Sequence, residues 1–271
     1  MNGQGSDVAD WWTTSIIDMR PGQIRFRGHP VEDLIGQVSF PQMIWLMTRG
    51  ELPSVEQARL LECALVAAVD HGPQAPSIAT ARMAVTCGLG LNGAMASAVN
   101  MLDDVHGGAG EQAVELFNWI DQAVAGGLSL EEATARMVDR WQTERTVFVP
   151  GFGHRFHKPE DPRAPRLLGL VDEAAKAGVV SGRYAGIGRA LQLLLNERKG
   201  KPVPMNIDGA TAVIYAELGF EGPLARGLFC LSRSVGVMSH AWEQMQQGGR
   251  NKGPTPPAYR WSYDGPNPIG E

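Results

Sequence analysis

The sequence predicts an all-α protein, and three observations support this fold class. Apolar residues recur every three to four positions in several segments, which is the spacing of one face of an α-helix. Two of these segments begin with a capping box, in which a serine is followed three residues later by glutamine or glutamate. The alternation of apolar and polar residues that marks a half-buried strand is almost absent.

The two capping boxes predict where two helices begin. Ser54 with Gln57 opens one helix, and Ser129 with Glu132 opens another. Such a pair fixes a helix start because each side chain satisfies a backbone N–H that has no partner inside the helix. The apolar stripes that follow are Ala58, Leu61, Leu65 and Ala68 in the first helix, and Leu130, Ala133, Met137 and Trp141 in the second.

Two later helices are indicated by residues at their ends. A stripe that begins at Tyr184 stops at Gly200, a residue type that commonly ends helices. Pro223 stands where the first turn of a last helix could begin, since the first turn tolerates proline. Residues 248–271 are rich in glycine and proline, so we expect this tail to be extended.

Composition limits the classes of ligand. The chain has 271 residues, a net charge of −5 and a pI of about 5.7. An acidic protein is unsuited to a general nucleic-acid or anionic-membrane surface, so a phosphate-bearing ligand would need a local basic cluster. No apolar run approaches the roughly 18 residues that span a bilayer. Residues 1–7 lack the charged and apolar regions of a signal peptide.

The cysteines indicate a reducing environment. Cys63, Cys87 and Cys230 are far apart in the sequence and stand among apolar residues. This spacing is typical of reduced, buried thiols and indicates neither a disulfide framework nor a zinc site. We therefore expect a cytoplasmic protein without a bound metal ion.

The most informative segment is Pro-Gly-Phe-Gly-His-Arg at residues 150–155, which leads to Asp-Pro-Arg at residues 161–163. Glycine lets a backbone approach a ligand closely because it has no side chain. His154 can give or take a proton near neutral pH, and Arg163 can bind a carboxylate with two parallel N–H groups. These residue types suit a site that holds a carboxylate beside a titratable imidazole.

The same segment resembles the citrate synthase superfamily, whose members carry Gly-Phe-Gly-His-Arg followed by Asp-Pro-Arg at this spacing. Further segments resemble motifs of that family and occur in the same order. They are residues 24–28 with Pro30, 49–53, 70–73, 106–109, 206–209 and 232–236. The resemblance covers nearly the whole chain. It implies a citrate synthase-like fold, with a large helical domain formed by residues 1–108 and 216–271 and a smaller helical domain, residues 109–215, inserted into it.

The resemblance also implies a reaction at a carbon–carbon bond, between the methyl carbon of acetyl-CoA and the carbonyl carbon of a keto acid. Asp208 would move the proton of the methyl carbon, and His106 would donate a hydrogen bond to the thioester oxygen. His154 would give a proton to the keto oxygen, or remove it from the tertiary alcohol when the bond is broken. No tightly bound cofactor is implied, because the coenzyme A thioester is a substrate.

Binding roles follow from the same motifs. His71 would hydrogen-bond the keto or hydroxyl oxygen, and Arg163 and Arg233 would bind substrate carboxylates. For Arg233, which stands in an apolar helix, a structural salt bridge is the alternative. The residues implied for coenzyme A are Arg25, Arg27 and Lys158 at the phosphates and Gly151 and Gly153 at the adenine. The other histidines, His29, His157 and His240, are expected to make structural hydrogen bonds.

Some features distinguish members of the superfamily. The short chain and the sequence Asn-Ile-Asp-Gly at residues 206–209 resemble citryl-CoA lyases. His106 is synthase-like, because the lyase module of ATP-citrate lyase has phenylalanine there. Citrate synthases also carry an arginine that reaches the site of the partner subunit, five residues before a Tyr-x-Gly. Here Ala258 stands five residues before Tyr263.

We therefore favour a homodimeric or larger citryl-CoA lyase that acts on small molecules. A citrate or 2-methylcitrate synthase is the first alternative. A non-catalytic relative that binds citrate or coenzyme A for regulation is the second. A helical interaction scaffold ranks last, because it leaves the glycine–histidine segments without a role.

Overall fold

The computed structural model describes residues 11–266, and these residues form eleven helices and three short strands. The strands are β1 (Ile17–Arg20), β2 (Gln23–Phe26) and β3 (His29–Pro30). The helices are α1 (Val31–Leu34), α2 (Phe40–Arg49), α3 (Val55–Ala67), α4 (Pro76–Thr86), α5 (Leu91–Val99), α6 (Ala109–Ala125), α7 (Leu130–Glu144), α8 (Arg163–Lys176), α9 (Arg183–Lys199), α10 (Ile207–Glu217) and α11 (Gly222–Gln247). The prediction of a helical protein is confirmed.

The predicted helix ends are confirmed in detail. Ser54 Oγ accepts a hydrogen bond from the Gln57 backbone at 3.1 Å, and the Gln57 side chain accepts one from the Ser54 backbone at 2.9 Å. The box at Ser129 forms in the same way at the start of α7. Gly200 ends α9, and the first turn of α11 contains proline. Local sequence therefore determines these helix boundaries.

The small sheet was not predicted. Its strands are antiparallel in the order β1-β2-β3, with Ile17 opposite Phe26 and Arg25 opposite Pro30. Strands of two to four residues are too short to show an alternating pattern. The Pro21-Gly22 pair between β1 and β2 is the turn signal that could have indicated the hairpin.

Helix α10 lies at the centre of the protein. It packs against α3, α6, α8 and α9. Every residue from position 207 to 216 is buried except Asp208. A helix that is apolar on nearly all sides is stable only when neighbours surround it, so α10 fixes the position of the half-buried Asp208 carboxylate in its first turn.

Two groups of buried apolar residues fill the interior. The larger extends from Ile44 on α2 to Phe229 on α11 and includes the buried faces of α6 and α10. The smaller joins α4, α5 and α11 through Ile78, Ala94 and Val237. Alanines at most of its positions let these three helices approach closely.

The predicted division into two domains stays a prediction, and its residues 1–10 and 267–271 lie outside the described part of the chain. The expectation about a signal peptide at residues 1–7 also concerns residues outside it. The tail from residue 248 to 266 contains neither helix nor strand. Its start is held to α4, because Thr86 accepts backbone hydrogen bonds from Asn251 at 2.9 Å and Lys252 at 3.0 Å.

The thiols are free, but the expectation that they are buried is wrong. Cys87 is exposed, because it forms the C-terminal cap of α4, while Cys63 and Cys230 are half-buried. Burial raises the pKa of both half-buried thiols. Among the helices of residues 11–266, none combines the length and the apolar character needed to cross a membrane.

Candidate active site

The glycine–histidine loop is joined to the start of α10 by three hydrogen bonds. The Gly153 backbone N–H donates to the Pro204 carbonyl at 2.7 Å, and the Asn206 N–H donates to the Gly151 carbonyl at 3.0 Å. The Asn206 side-chain amide donates to the Gly153 carbonyl at 2.8 Å. These bonds place a histidine-bearing loop beside the N-terminus of the central helix.

His154 lies in this loop with a defined tautomer. Its Nδ1 accepts backbone hydrogen bonds from Phe156 at 3.0 Å and from His157 at 2.9 Å. Because Nδ1 uses its lone pair in this way, the neutral ring carries its proton on Nε2. Burial lowers the pKa of His154, and the neighbouring His157 lowers it further. His154 is therefore a neutral ring that can donate from Nε2.

His71 faces His154 from the loop between α3 and α4, with ring centroids 5.6 Å apart. Partial burial lowers the pKa of His71, and the cations Arg233 and Arg163 add to this effect. Two neutral imidazoles therefore lie side by side, as a site for hydrogen bonds to one oxygen requires.

A chain of polar contacts supports the His71 loop from α4 and α11. Asp70 accepts from the Gly72 backbone at 3.0 Å, and its other oxygen lies 3.2 Å from His240 Nε2. The opposite nitrogen of His240 lies 3.2 Å from the guanidinium of Arg82. Arginine is always a donor, so His240 accepts at Nδ1 and donates from Nε2 to Asp70. His240 thus makes structural hydrogen bonds.

His106 is oriented in the opposite sense to His154. Its Nε2 lies 3.2 Å from the Ser77 backbone N–H, which donates to it, and 2.9 Å from Ser77 Oγ. The proton of the neutral ring is therefore on Nδ1. Burial lowers the pKa of His106, and Arg233 lowers it further. A neutral imidazole with a free Nδ1–H can stabilise a developing oxyanion.

Asp208 is a half-buried carboxylate whose oxygens have no hydrogen-bond partner within residues 11–266. Burial raises the pKa of this carboxyl, although the positive charges of Arg233 and Arg163 oppose the rise. The Asn206 side chain accepts from the backbone of Asp208 at 2.9 Å and so holds the first turn of α10. A carboxyl with a raised pKa can act as an acid or a base near neutral pH.

Arg163 is held by the buried Asp161, two residues before it. The Arg163 Nε and Nη2 atoms donate to the two oxygens of Asp161 at 2.9 and 2.7 Å. These bonds keep the pKa of Asp161 low despite its burial. The pair fixes the guanidinium, whose remaining N–H groups are free to bind a ligand carboxylate.

Arg233 is only 3% exposed and forms no ion pair with the described residues. Its Nε donates to the Ala68 carbonyl at 3.2 Å, and its guanidinium carbon lies 4.7 Å from the centre of the Phe229 ring. Burial lowers the pKa of Arg233, while the charges of Asp208 and Asp70 raise it. The structural salt bridge that was the alternative for this residue is not formed, so its charge is available to a ligand.

The charges of two arginines influence the pKa of each predicted catalytic residue and of His71. Arg233 acts on His71, His106 and Asp208, and Arg163 acts on His71, His154 and Asp208. Residues from four separate stretches of sequence therefore lie within the electrostatic influence of these two arginines.

The residues predicted for coenzyme A are more dispersed. Arg25 lies on β2, and Lys158 is exposed in the loop before α8. Arg27 holds the N-terminal hairpin, since it donates to the Met47 carbonyl at 2.9 Å and to Ser15 at 2.7 Å. Gly151 is buried, and the amide of Gly153 is occupied by a backbone bond.

A cavity of about 770 Å³ opens beside the glycine–histidine loop. Its walls include Val105 and Ala109 next to His106, and Gly151 and Phe152 next to His154. This volume lies in the range of 300–1,000 Å³ that is usual for small-molecule sites. The cavity thus leads from the surface to two of the histidine-bearing loops.

His154, His157 and Asp161 have possible metal-donor atoms within 4.8 Å of one another. Two amides already occupy His154 Nδ1, and Arg163 already neutralises Asp161. A further cation there would also face Arg163. We therefore read these residues as parts of a hydrogen-bonded site.

Sequence reasoning missed the supporting residues. The Asp-Pro-Arg motif contains Asp161 but does not show that this carboxylate holds Arg163. Ser77 contacts His106 through its backbone N–H and its hydroxyl, and the backbone contact has no side-chain pattern that could reveal it. Asp70 preceded a predicted site histidine, and that position was the available signal.

Comparison with known proteins agrees with the helical fold. The family described as citrate synthase, C-terminal domain, matches residues 4–62 and 54–255. The chain therefore belongs to the citrate synthase family. The predicted resemblance is confirmed.

Three relatives illustrate the range of that family. Citryl-CoA lyase from Hydrogenobacter thermophilus has a structure with a TM-score of 0.82 and 31% identity, which covers 95% of this chain and 96% of that one. A citrate synthase of Acidithiobacillus ferridurans is 26% identical over 230 residues, or 82% of this chain and 56% of that protein. ATP-citrate synthase subunit 1 of Sordaria macrospora is 26% identical over 249 residues, or 85% and 35% of the two chains. The chain spans about half the length, or less, of the curated relatives it matches.

Proposed function

We propose that the protein is a citryl-CoA lyase, which cleaves citryl-CoA to acetyl-CoA and oxaloacetate. Two observations carry this proposal. Within residues 11–266, the buried Arg233 has no ion pair, and the oxygens of the half-buried Asp208 have no hydrogen-bond partner. Both stand beside donor imidazoles. The end-to-end likeness to a citryl-CoA lyase supports the choice of reaction.

Cleavage requires a proton to leave the tertiary hydroxyl of the citryl group. His154 takes this proton, the carbon–carbon bond breaks, and its electron pair moves into the thioester enolate. His106 donates from Nδ1 to the enolate oxygen, and Asp208 then gives its proton to the enolate carbon. Proton exchange with water returns His154 and Asp208 to their starting states. A positioned acid or base contributes on the order of 10²–10⁴-fold to such a rate.

The raised pKa of Asp208 suits cleavage, because the residue must carry a proton at the start of that reaction. The same group would act as the base in condensation, in its ionised form. The same carboxyl therefore serves both directions, as its protonated form in cleavage and as its ionised form in condensation.

The resting tautomer of His154 is set for donation from Nε2. To take the hydroxyl proton at Nε2, the ring must move its own proton to Nδ1, where two amides now donate. We infer that the segment after His154 rearranges when citryl-CoA binds. Catalytic hydrogen bonds commonly reach their working geometry only in the substrate complex.

The substrate carboxylates are assigned to Arg163 and Arg233, and His71 hydrogen-bonds the hydroxyl or keto oxygen. An unpaired buried cation costs several kcal/mol in an apolar core. A ligand carboxylate offsets that cost, which gives Arg233 a reason to be buried and unpaired.

Coenzyme A would enter through the cavity beside the glycine–histidine loop. Arg25 and Lys158 are the better candidates for its phosphates, because Arg27 uses three of its donor atoms inside the protein. Gly151 and Gly153 contribute the backbone that the adenine could contact. No tightly bound cofactor is required by this chemistry.

The second candidate is a citrate or 2-methylcitrate synthase, which would form the bond and hydrolyse the thioester. His106 favours it, and so does the citrate synthase name of several relatives. Purified protein should be incubated with citryl-CoA, and separately with acetyl-CoA and oxaloacetate. Release of acetyl-CoA in the first assay supports the lyase; release of free coenzyme A only in the second assay excludes it.

We also propose a homodimer formed through α11. Its exposed apolar residues recur at intervals of four and three, as in helices that pair through one face. They are Leu231, Val235, Met238, Trp242 and Met245. A second copy would cover this stripe, and residues 109–215 would move against the remainder to enclose the substrate.

A further inference from the structure

We propose that His157 is a positioning residue that holds the His154 ring through its backbone amide and covers one face of that ring with its own imidazole. This inference rests on the proposed function, because it assigns His157 to the same site. From the sequence alone, only structural hydrogen bonds are expected of His157.

Two contacts from one residue support the proposal. The His157 N–H donates to His154 Nδ1 at 2.9 Å, and the two ring centroids lie 4.3 Å apart with an interplanar angle of 36°. The other rings beside His154 are farther away, with centroids at 5.6 Å for His71 and 6.1 Å for Phe156. His157 is therefore the residue that both selects the tautomer and shields the ring.

The contact between His157 and His154 affects the pKa of His154, together with the other charged groups around that ring. The groups that face it are His157 on its own loop, Asp161 and Arg163 at the start of α8, and His71 from the α3–α4 loop. Burial lowers the pKa of His154 most, and His157 comes next. The negative charge of Asp161 raises the pKa of His154, but Arg163 donates hydrogen bonds to both carboxylate oxygens of Asp161.

The residue type at position 157 therefore matters in two separable ways. Any residue except proline supplies the backbone N–H, but only a planar ring covers His154 in the same way. Only a ring that can become cationic also repels a proton on His154. His157→Phe keeps the amide and the cover and removes the charge, while His157→Ala keeps the amide alone.

The first measurement uses the protein without substrate. Imidazole ¹⁵N shifts should be followed against pH in the full chain, in both variants and in His29→Gln, a control that removes a histidine on β3. We expect Nε2–H in the wild type and a pKa of His154 that rises in His157→Phe. In His157→Ala we expect a larger rise, because the ring loses its cover, while the Nε2–H tautomer is kept, because both backbone N–H donors remain.

The second measurement is the pH profile of citryl-CoA cleavage. Because His154 must be neutral to take a proton, a higher pKa moves the acidic limb of the profile to higher pH. At the plateau, His157→Ala should lose roughly three- to tenfold in kcat, a part of the effect of a positioned base. His157→Phe should lose less, and His29→Gln should match the wild type.

The two measurements separate this inference from the proposed function. A protein that cleaves no citryl-CoA but shows the expected ¹⁵N changes would overturn the lyase assignment and support the positioning role. An unchanged His154 pKa in both folded variants would overturn the positioning role, whatever the activity. If His157→Ala fails to fold by circular dichroism, the result for His157→Phe decides.

Discussion

Gly151 and Gly209 bring two backbones into direct contact. A Cβ atom at position 209 would lie 2.4 Å from the Gly151 carbonyl oxygen, and one at position 151 would lie 2.6 Å from the Gly209 Cα. Gly151 also has a φ of +82°, which disfavours other residues. His154, the proposed base, lies three residues after Gly151, and Asp208, the proposed acid, directly precedes Gly209. The contact between the two glycines therefore fixes the relative positions of the base and the acid.

Gly209→Ala should therefore impair both folding and activity. The added methyl group meets backbone, which cannot rotate away, so we expect a loss of about 1–3 kcal/mol in the free energy of unfolding. Urea unfolding and the citryl-CoA assay measure the two effects.

Gly186→Ala is the matched control for this substitution. Gly186 lies inside α9 with nothing within 4 Å of its Cβ position. An alanine there should stabilise the helix by about 0.5–1 kcal/mol and leave activity unchanged. Equal effects of the two substitutions would show that the contact between the glycines is unimportant.

Asp208→Asn should abolish turnover and raise stability at neutral pH. The folded-state pKa of Asp208 is raised by burial, so the ionised carboxylate is less favourable in the folded than in the unfolded chain. This cost is absent below the ordinary pKa of about 3.9 and appears as the pH rises above it. We expect the variant to melt roughly 2–4 °C higher at pH 7, for a difference of about 1 kcal/mol.

The pH dependence of the melting temperature shows whether Asp208→Asn stabilises the protein by removing a buried charge or by a general change in packing. The gain in melting temperature should vanish below about pH 4, where the carboxyl is protonated in both states. In the wild type, cleavage should decline as the pH rises through the folded-state pKa, because the acid form is lost. A gain that is the same at pH 3.5 and pH 7 would contradict the assignment.

Arg233→Met should remove ligand binding without loss of stability. Its guanidinium is buried and forms no ion pair with any residue from 11 to 266, so an apolar side chain of similar length should leave the unfolding free energy unchanged or raise it by about 1 kcal/mol. Thermal shift with citrate tests the consequence, since the ligand should stabilise the wild type and not the variant. Arg189→Met, at an exposed ion pair with Asp172, should keep the full shift; a full shift in Arg233→Met would exclude this residue from the carboxylate site.

His106→Ala should lower kcat by about 10²–10³-fold with a small change in KM, because a donor to an oxyanion acts chiefly in the transition state. Ser77→Ala should have a smaller effect, since the backbone N–H that orients His106 remains. Steady-state cleavage of citryl-CoA compares the two variants. An increase in KM alone for His106→Ala would assign this histidine to substrate binding instead.

The sequence predicts the helices well where the signal is local. Ser54 and Ser129 determine helix starts through contacts within four residues, and both boxes form. The hairpin at Pro21-Gly22 was missed because its strands are too short to show a period. Burial of Cys87 was predicted wrongly, since apolar neighbours in sequence do not show which residue caps the helix.

For the site, the sequence indicates which residues take part but not the contacts that they make with residues distant in sequence. The motifs named His154, Asp208 and Arg233, but the tautomer of His154 depends on two backbone N–H groups that only the folded loop presents. Likewise, the charge of Arg233 lacks an ion pair because of how α11 packs against the end of α3, which residue spacing does not describe.

Trp242→Glu should convert the proposed homodimer to a monomer. Trp242 is 54% exposed in the middle of the apolar stripe of α11, and a carboxylate buried at a symmetric interface would face its own copy. Leu193→Glu is the control, because Leu193 is 63% exposed on α9, away from the stripe. Light scattering after size-exclusion chromatography should give half the mass for Trp242→Glu and an unchanged mass for Leu193→Glu. A wild-type protein that is already monomeric would leave α11 without a partner copy, and a dimer that survives Trp242→Glu would place the interface on another face.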